Sequence, residues 1–188
     1  MSDKDIQNLI NAVPPPGKPI ASDGDWDRIE SSLESKLPND YKQFVMAYGS
    51  GKLCHFVSIL SPFVVNHSWS LVPYVLSTIE SYVSTGLLDA IPYPLFPKAG
   101  GIIPFGTTEN CNCLNWLPQR DPHEWEIIVW DPDCLQFFET GYHSLLAFLH
   151  DLVTQRCGLY PGDPPLDWFD PPHSFTAIDF DTPDWRAT

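Results

Sequence analysis

The sequence predicts a single α+β domain, in which a mainly antiparallel or mixed sheet of about five strands is flanked by helices. Three observations predict this class. Apolar residues recur at helical spacing early in the chain and again near residue 150. Between them lie four short segments rich in strand formers, separated by Gly, Asn and Asp-Pro punctuation. The length of 188 residues suits one domain with terminal extensions.

The first 24 residues are predicted to form a proline-rich leader. Four prolines between positions 14 and 19 lack a backbone donor and disfavour both a helix and a central strand. We therefore expect residues 1–24 to lie on the surface of a domain that spans residues 25–157.

Two amphipathic helices are predicted at the start of that domain. The first carries Trp26, Ile29 and Leu33 at helical spacing, after acids that can cap its N-terminus. The second begins after a Leu-Pro dipeptide, and Gly49 supplies its left-handed stop. Its apolar stripe follows the i, i+3, i+4, i+7 pattern through Tyr41, Phe44, Val45 and Tyr48.

Five strands and two further helices are predicted over the rest of the domain. The strand segments are short and rich in β-branched and aromatic residues, and their punctuation favours consecutive antiparallel pairing. The predicted strands are 53–60, 102–105, 113–117, 126–130 and 135–138. The predicted helices are 73–85 and 144–154, both with an apolar stripe.

A C-terminal extension is predicted for residues 158–188, because the composition changes after Cys157. Six Pro and six Asp accompany several aromatic residues there, too aromatic for a pure linker and too proline-rich for regular elements. We expect the extension to wrap back over the domain in part, with Trp168 and Phe169 as its anchors.

The charge of the chain excludes some partners. Ten Lys and Arg against 24 Asp and Glu give a formal net charge of −14, and 16 of the acids follow position 52. Such a field repels nucleic acid and anionic membranes and favours a basic protein partner. The N-terminus has no signal-peptide pattern and no long apolar run occurs, so we expect a cytoplasmic protein. Five Cys residues suit reduced thiols better than a disulfide framework.

The chain resembles the SUKH superfamily in its opening block, WDRIESSLESKLPNDYKQFVMAYGSG. The matching positions are Trp26, Ile29, Glu30, Leu37, Pro38, Tyr41, Phe44, Tyr48 and Gly49. Two later segments, GGIIPFGTTEN and SLLAFLHDL, and the aromatic strand that ends at Trp130 extend the likeness over roughly residues 25–153. The segment NCNCLNW departs from it, because relatives typically carry Gly or Asp in that turn.

The resemblance implies a mixed or antiparallel sheet flanked by helices. It also implies an immunity protein that protects against toxins exchanged between competing bacteria. Some relatives regulate fungal cell-wall assembly, so the fold by itself does not determine the role.

Several Cys and His residues invite a metal or a catalytic thiol. Zinc ligands are conceivable at Cys111, Cys113, His123, Cys134 and His143, but Cys-x-Cys is not a structural zinc knuckle and no second pair follows. Cys54 and His55 are neighbours on a predicted strand, where they would face opposite sides and could not act together. No hydrolase, nuclease or P-loop motif occurs. We predict no enzyme activity, no metal and no cofactor.

Acids that bracket the later strands are the candidate binding residues. Paired carboxylates can serve acid–base catalysis or hold a cation, or form a solvated rim. The third alternative is an electrostatic face for a basic partner, which the scarcity of nearby Lys and Arg favours. We interpret Trp125 as an exposed anchor among these acids and Trp130 as buried. The predicted partner-binding residues are Asp121, Glu124, Trp125, Glu126, Asp131, Asp133 and Glu139.

The sequence thus supports an immunity protein that binds and neutralises a toxin domain, a basic nuclease in the first instance. The alternative is a regulatory or scaffold module of the same fold with an endogenous partner. In both cases we expect a protein partner, with no direct contact to nucleic acid or membrane.

Overall fold

The computed structural model describes residues 2–163 and 171–182. The α-helices of this part of the chain are α1 (Ser2–Ala12), α2 (Trp26–Ser32), α3 (Asn39–Tyr48), α4 (Leu71–Ser84) and α5 (Leu145–Val153). Its strands are β1 (Gly51–Leu53), β2 (Val57–Ile59), β3 (Ile103–Thr108), β4 (Cys113–Leu117), β5 (Glu126–Asp131), β6 (Gln136–Glu139) and β7 (Phe175–Ala177). Among the described residues, no helix is long and apolar enough to cross a bilayer.

The described strands form one sheet in the order β6-β5-β4-β3-β2-β1-β7, and each neighbouring pair is antiparallel. The predicted α+β class is confirmed, but the described part of the sheet has seven strands where about five were predicted. One added strand arises because the segment 53–60 bends back on itself. Cys54 and His55 adopt φ angles of 49° and 57° there, and the Phe56 N–H donates to the Leu53 carbonyl. The other is β7, from the C-terminal extension.

Side-chain alternation along the strands divides the core between the two faces of the sheet. On β5, Ile127 and Val129 join the larger cluster, which also contains the apolar faces of α1, α3 and α5. Ile128 and Trp130 join a smaller cluster on the other face, together with Tyr82 of α4. Because β5 is covered on both sides, only its ends can present polar groups to a partner.

Helices α3 to α5 begin and end within about two residues of their predicted limits, whereas α2 ends at Ser32, well before the Leu-Pro dipeptide. Asp25 caps α2 by accepting a hydrogen bond from the Arg28 N–H at 3.0 Å, and Ser144 caps α5 through the Ala147 N–H. Gly49 ends α3 with a positive φ of 68°, as predicted, but its ψ of −148° lies outside the left-handed helical region. A side chain at this position would also collide with the Ile20 carbonyl oxygen, which lies 2.1 Å from an ideal Cβ.

The expected surface leader begins instead with α1, whose side chains are part of the core. Leu9 and Val13 are fully buried, and the Tyr48 hydroxyl donates to the Val13 carbonyl at 2.7 Å. The prolines start only at position 14, so they cannot disfavour a helix that ends before them. The apolar residues Ile6, Leu9, Ile10 and Val13 are at helical spacing. The sequence before the prolines therefore contains a local signal for α1.

The expected return of the C-terminal extension over the domain is confirmed for residues 171–182. Strand β7 pairs with β1, with Gly51 opposite Ala177 and Leu53 opposite Phe175. Beyond the strand Ile178 and Phe180 are buried, and Phe180 stacks on Trp69 at 4.1 Å. The predicted anchors at positions 168 and 169 lie outside the described residues.

Deletion of residues 171–188 is expected to lower the free energy of unfolding by about 2–3 kcal/mol. The truncated chain loses the buried side chains of Ile178 and Phe180 and the pairing of β7, partly offset by the smaller entropy cost of ordering the chain. Urea denaturation measures the loss. Deletion of residues 183–188 alone leaves these contacts in place and is the matched control. Equal stability of the two truncated chains would contradict a structural role for β7.

Candidate partner-binding surface

The segment before β5 forms a short 3₁₀ turn, Pro122–Glu124, which contains Glu124 and directly follows Asp121. Both are predicted binding residues. Asp121 caps this turn, because its carboxylate accepts the His123 N–H at 3.0 Å. The Glu124 carbonyl lies 2.8 Å from Nδ1 of His143, which belongs to the segment after β6. The chain before β5 and the chain after β6 therefore lie side by side at one end of the sheet.

Glu126 and Glu139 meet at the same end. The Oε1 atom of Glu126 accepts the Gly141 N–H at 3.0 Å, and the Oε1 atom of Glu139 accepts the Tyr93 hydroxyl at 3.0 Å. Partial burial, the hydrogen bond to Glu139 and the charges of Glu139 and Glu126 raise the pKa of Tyr93 to about 12. Tyr93 therefore stays a neutral donor to Glu139.

Four of the predicted acids lie at this end of the sheet, which we call the acidic surface: Asp121, Glu124, Glu126 and Glu139. The first two and Glu139 are exposed, and Glu126 is half-buried. Arg120 is adjacent in sequence and exposed. Within residues 2–163 and 171–182, no salt bridge joins any of the four acids to a Lys or Arg. Their charge is available to a partner.

Asp131 and Asp133 lie at the opposite end of β5, about 17 Å along the strand from Glu126. Asp131 is buried and accepts the Tyr160 hydroxyl at 2.8 Å and the Asp133 N–H at 2.9 Å. Burial alone would raise the pKa of Asp131, but these bonds and those with Cys134 outweigh burial and lower it. Asp131 was predicted to bind a partner, but it is buried. It connects the chain after α5 to the sheet instead. Asp133 is exposed but separate from the acidic surface.

Trp125 is buried, with 2% of its surface exposed, so its interpretation as an exposed anchor is wrong. Its ring packs edge-on against Trp116 with centroids 5.9 Å apart, and its Nε1 donates to the Gln119 carbonyl at 2.9 Å. Trp130 is buried, as predicted. Trp125 supports the acidic surface from beneath, and the local sequence, which has no periodicity, gave no signal for this orientation.

The cysteine and histidine candidates do not come together. Within the described residues, no three His, Cys, Asp or Glu side chains lie close enough to share a metal ion. Burial raises the pKa of the Cys113 thiol to about 11, and burial also raises the pKa of Cys54. In the departing segment NCNCLNW, Cys111 has a φ of 62°, and the Thr108 hydroxyl bonds to the Asn112 side chain at 2.9 Å. This positive φ and this hydrogen bond close the β3–β4 turn without Gly or Asp.

A buried carboxylate, Glu30 on α2, explains why residues of the opening block occur together. Its side chain is 4% exposed and accepts hydrogen bonds from the Leu37 N–H at 3.0 Å, from Lys36 at 2.6 Å and from Lys42. Trp26 lies under the Lys42 ammonium group, 5.5 Å from ring centroid to Nζ. The block therefore has a structural role, holding α2, the Leu-Pro turn and α3 together.

The fold defines a class of protein, a single α+β domain with an antiparallel sheet flanked by helices. The family model described as the SMI1/KNR4 family (SUKH-1) matches residues 20–148, more than half of the chain. The chain belongs to this family. No curated protein and no solved structure gave a match. The matched segment contains the opening block and the acidic surface, whereas α1 and β7 lie outside it.

Proposed function

We propose that this chain is a cytoplasmic immunity protein that binds and neutralises a toxin domain, without chemistry of its own. The observation that carries the proposal is the acidic surface, where four carboxylates lie at one end of the sheet and form no ion pairs with Lys or Arg within the described part of the chain. Membership of the SUKH-1 family and the net charge of −14 support it.

A basic nuclease is the toxin class that fits this surface. Nucleases bind polyanions, so their active-site clefts carry an excess of positive charge. A group of carboxylates on a rigid sheet end can occupy such a cleft in place of phosphate groups. Electrostatic attraction accelerates the encounter of the two proteins, and occupation of the cleft then excludes the nucleic acid substrate.

Neutralising three of these acids is expected to slow association with the toxin. The triple variant Asp121→Asn, Glu124→Gln, Glu126→Gln keeps oxygen acceptors for the His123 and Gly141 N–H groups, so the turn is preserved. At low salt we expect association about 10-fold slower or more, with a shallower dependence on ionic strength. Stopped-flow fluorescence with a toxin domain encoded next to the gene for this chain, from about 0.05 to 1 M salt, measures both quantities.

The matched control neutralises three acids elsewhere: Asp5→Asn, Glu34→Gln and Asp89→Asn. It changes the net charge by the same amount but leaves the acidic surface intact, so its effect should be much smaller. Equal effects of the two variants, or association independent of salt, would show that the acids serve solubility. Capture of an endogenous protein without rescue from the toxin would favour the regulatory module instead.

A further inference from the structure

An apolar groove of about 500 Å³ lies between α2, the segment 62–65 and the first turn of α4. Ile29, Phe63, Val65 and Val72 contribute apolar side chains to its lining. Val65 is 77% exposed, the largest value among the exposed large hydrophobic side chains of the described residues. A single exposed valine needs no explanation, but contiguous exposed apolar surface marks an interaction site, so Val65 matters together with the apolar side chains around it.

The walls of the groove are held in place by the fold. The Phe63 ring packs edge-on against Trp26, with centroids 4.8 Å apart, and passes so close to Gly24 that an ideal Cβ there would lie 2.4 Å from Cδ1. The Val65 and Asn66 N–H groups donate to the Asp181 carboxylate at 2.9 and 2.7 Å. A preformed groove binds a ligand with little loss of its own conformational freedom.

The apolar surface continues from the groove along α4. Val72, Leu76 and Val83 are spaced by four and seven residues, so they lie on the same side of the helix. Leu76 is 54% exposed and Val83 is 53% exposed. The groove and this side of α4 together form a strip long enough for a peptide segment rather than a small molecule.

The charges around the groove select the kind of segment. Asp23 and Asp25 stand on its rim, both exposed, and each uses Oδ1 to accept a local backbone N–H. Between Lys52 and Lys98 the sequence contains no Lys or Arg, so the segment 62–65 and α4 contribute no positive charge. Arg28 is the single cation among the lining residues. The net field at the groove is therefore negative.

We propose that this groove binds a segment of a partner protein in which apolar side chains are flanked by Lys or Arg. The apolar side chains fill the groove over Phe63 and Val65, and the cations meet the carboxylates of Asp23 and Asp25. The contact is separate from the acidic surface, and the inference holds whether the partner is a toxin or an endogenous protein.

Selection from a random library of displayed 12-residue peptides against the full chain tests the inference. The selected peptides should combine large apolar residues with Lys or Arg. As synthetic peptides, they should bind the Val65→Glu and Leu76→Glu variants at least about 10-fold more weakly, measured by fluorescence polarisation. Asp23→Asn, which keeps the acceptor for the Gly24 N–H, should weaken binding severalfold.

Met46→Glu is the matched control, because Met46 is an exposed apolar residue of α3, 56% exposed, that does not line the groove. It should leave peptide affinity unchanged, and thermal melting of each variant shows whether it folds. Peptides rich in Asp or Glu, or affinity unchanged in both Glu variants of the groove, would overturn the inference. Dimerisation of the chain that Val65→Glu abolishes would also overturn the inference, because a second copy of the chain would then occupy the groove.

The triple variant of the acidic surface separates the two proposals. If the inference is right, this variant binds the selected peptides as tightly as the unaltered chain. If it loses the peptides while the groove variants retain them, the groove is not the site, although the acidic surface still binds basic ligands.

Discussion

Replacement of Glu30 by alanine is expected to lower the free energy of unfolding by about 3–5 kcal/mol, as removal of one partner from a buried ion pair does. The Leu37 N–H loses its acceptor, and the Lys42 side chain, only 22% exposed, loses its counter-ion. Denaturation in urea measures the change. A loss below about 1 kcal/mol would mean that water replaces the carboxylate, as at an exposed pair.

The Glu30→Gln variant adds a test through pH. Burial by itself raises the pKa of Glu30, but the Leu37 N–H and the ammonium groups of Lys36 and Lys42 outweigh burial and lower it from 4.5 to about 2. Because the folded-state pKa lies below the unfolded one, the charge stabilises the fold fully above about pH 5. That stabilisation is lost as the pH falls towards 2.

The expected size of this pH-dependent part is on the order of 2 kcal/mol, since Lys36 is 69% exposed and solvent weakens its attraction. The stability difference between the unaltered chain and Glu30→Gln should therefore shrink between pH 6 and pH 3. A constant difference over that range would show that another acid dominates the acid sensitivity.

Elements whose sequence signal is local were predicted well. The helical stripes of α3 and α5 depend on residues within one or two turns, and each was assigned to the correct element. Strands β3 to β6 are separated by turn residues and pair with their neighbours in sequence, so punctuation sufficed to place them.

Features that depend on distant residues were not predictable in the same way. Strand β7 pairs with β1 across more than 120 residues, and its sequence, Phe-Thr-Ala, is too short to reveal a partner. The tight turn at Cys54 and His55 places two residues with side chains at positive φ, where Asn-Gly is the usual signal. Packing of the sheet overrides the local preference at that turn.

The candidate sites show the same division. That acids bracket the ends of β5 could be predicted, because strand limits are local. The contact of Asp131 with Tyr160 could not be predicted, because Tyr160 belongs to the extension, far from β5 in sequence. The groove was missed entirely, since its lining comes from α2, the segment 62–65 and α4, none of which carries a binding motif by itself.

Replacement of Tyr41 by alanine is expected to lower the free energy of unfolding by about 3–5 kcal/mol, the usual effect of removing a buried aromatic ring. Tyr41 is fully buried, and its ring lies edge-on to Trp116, with centroids 5.0 Å apart. Its hydroxyl donates to the Leu60 carbonyl at 2.6 Å, which connects α3 to the residue after β2. Burial raises the pKa of this hydroxyl well above its usual value, so it stays a donor at all working pH values.

Tyr41→Phe separates the hydroxyl from the ring. It keeps the packing against Trp116 but removes the donor to Leu60, so a loss of about 1–2 kcal/mol is expected. Urea denaturation of the two variants side by side measures both contributions. Unchanged melting of Tyr41→Ala would mean that the stripe of α3 does not face the core.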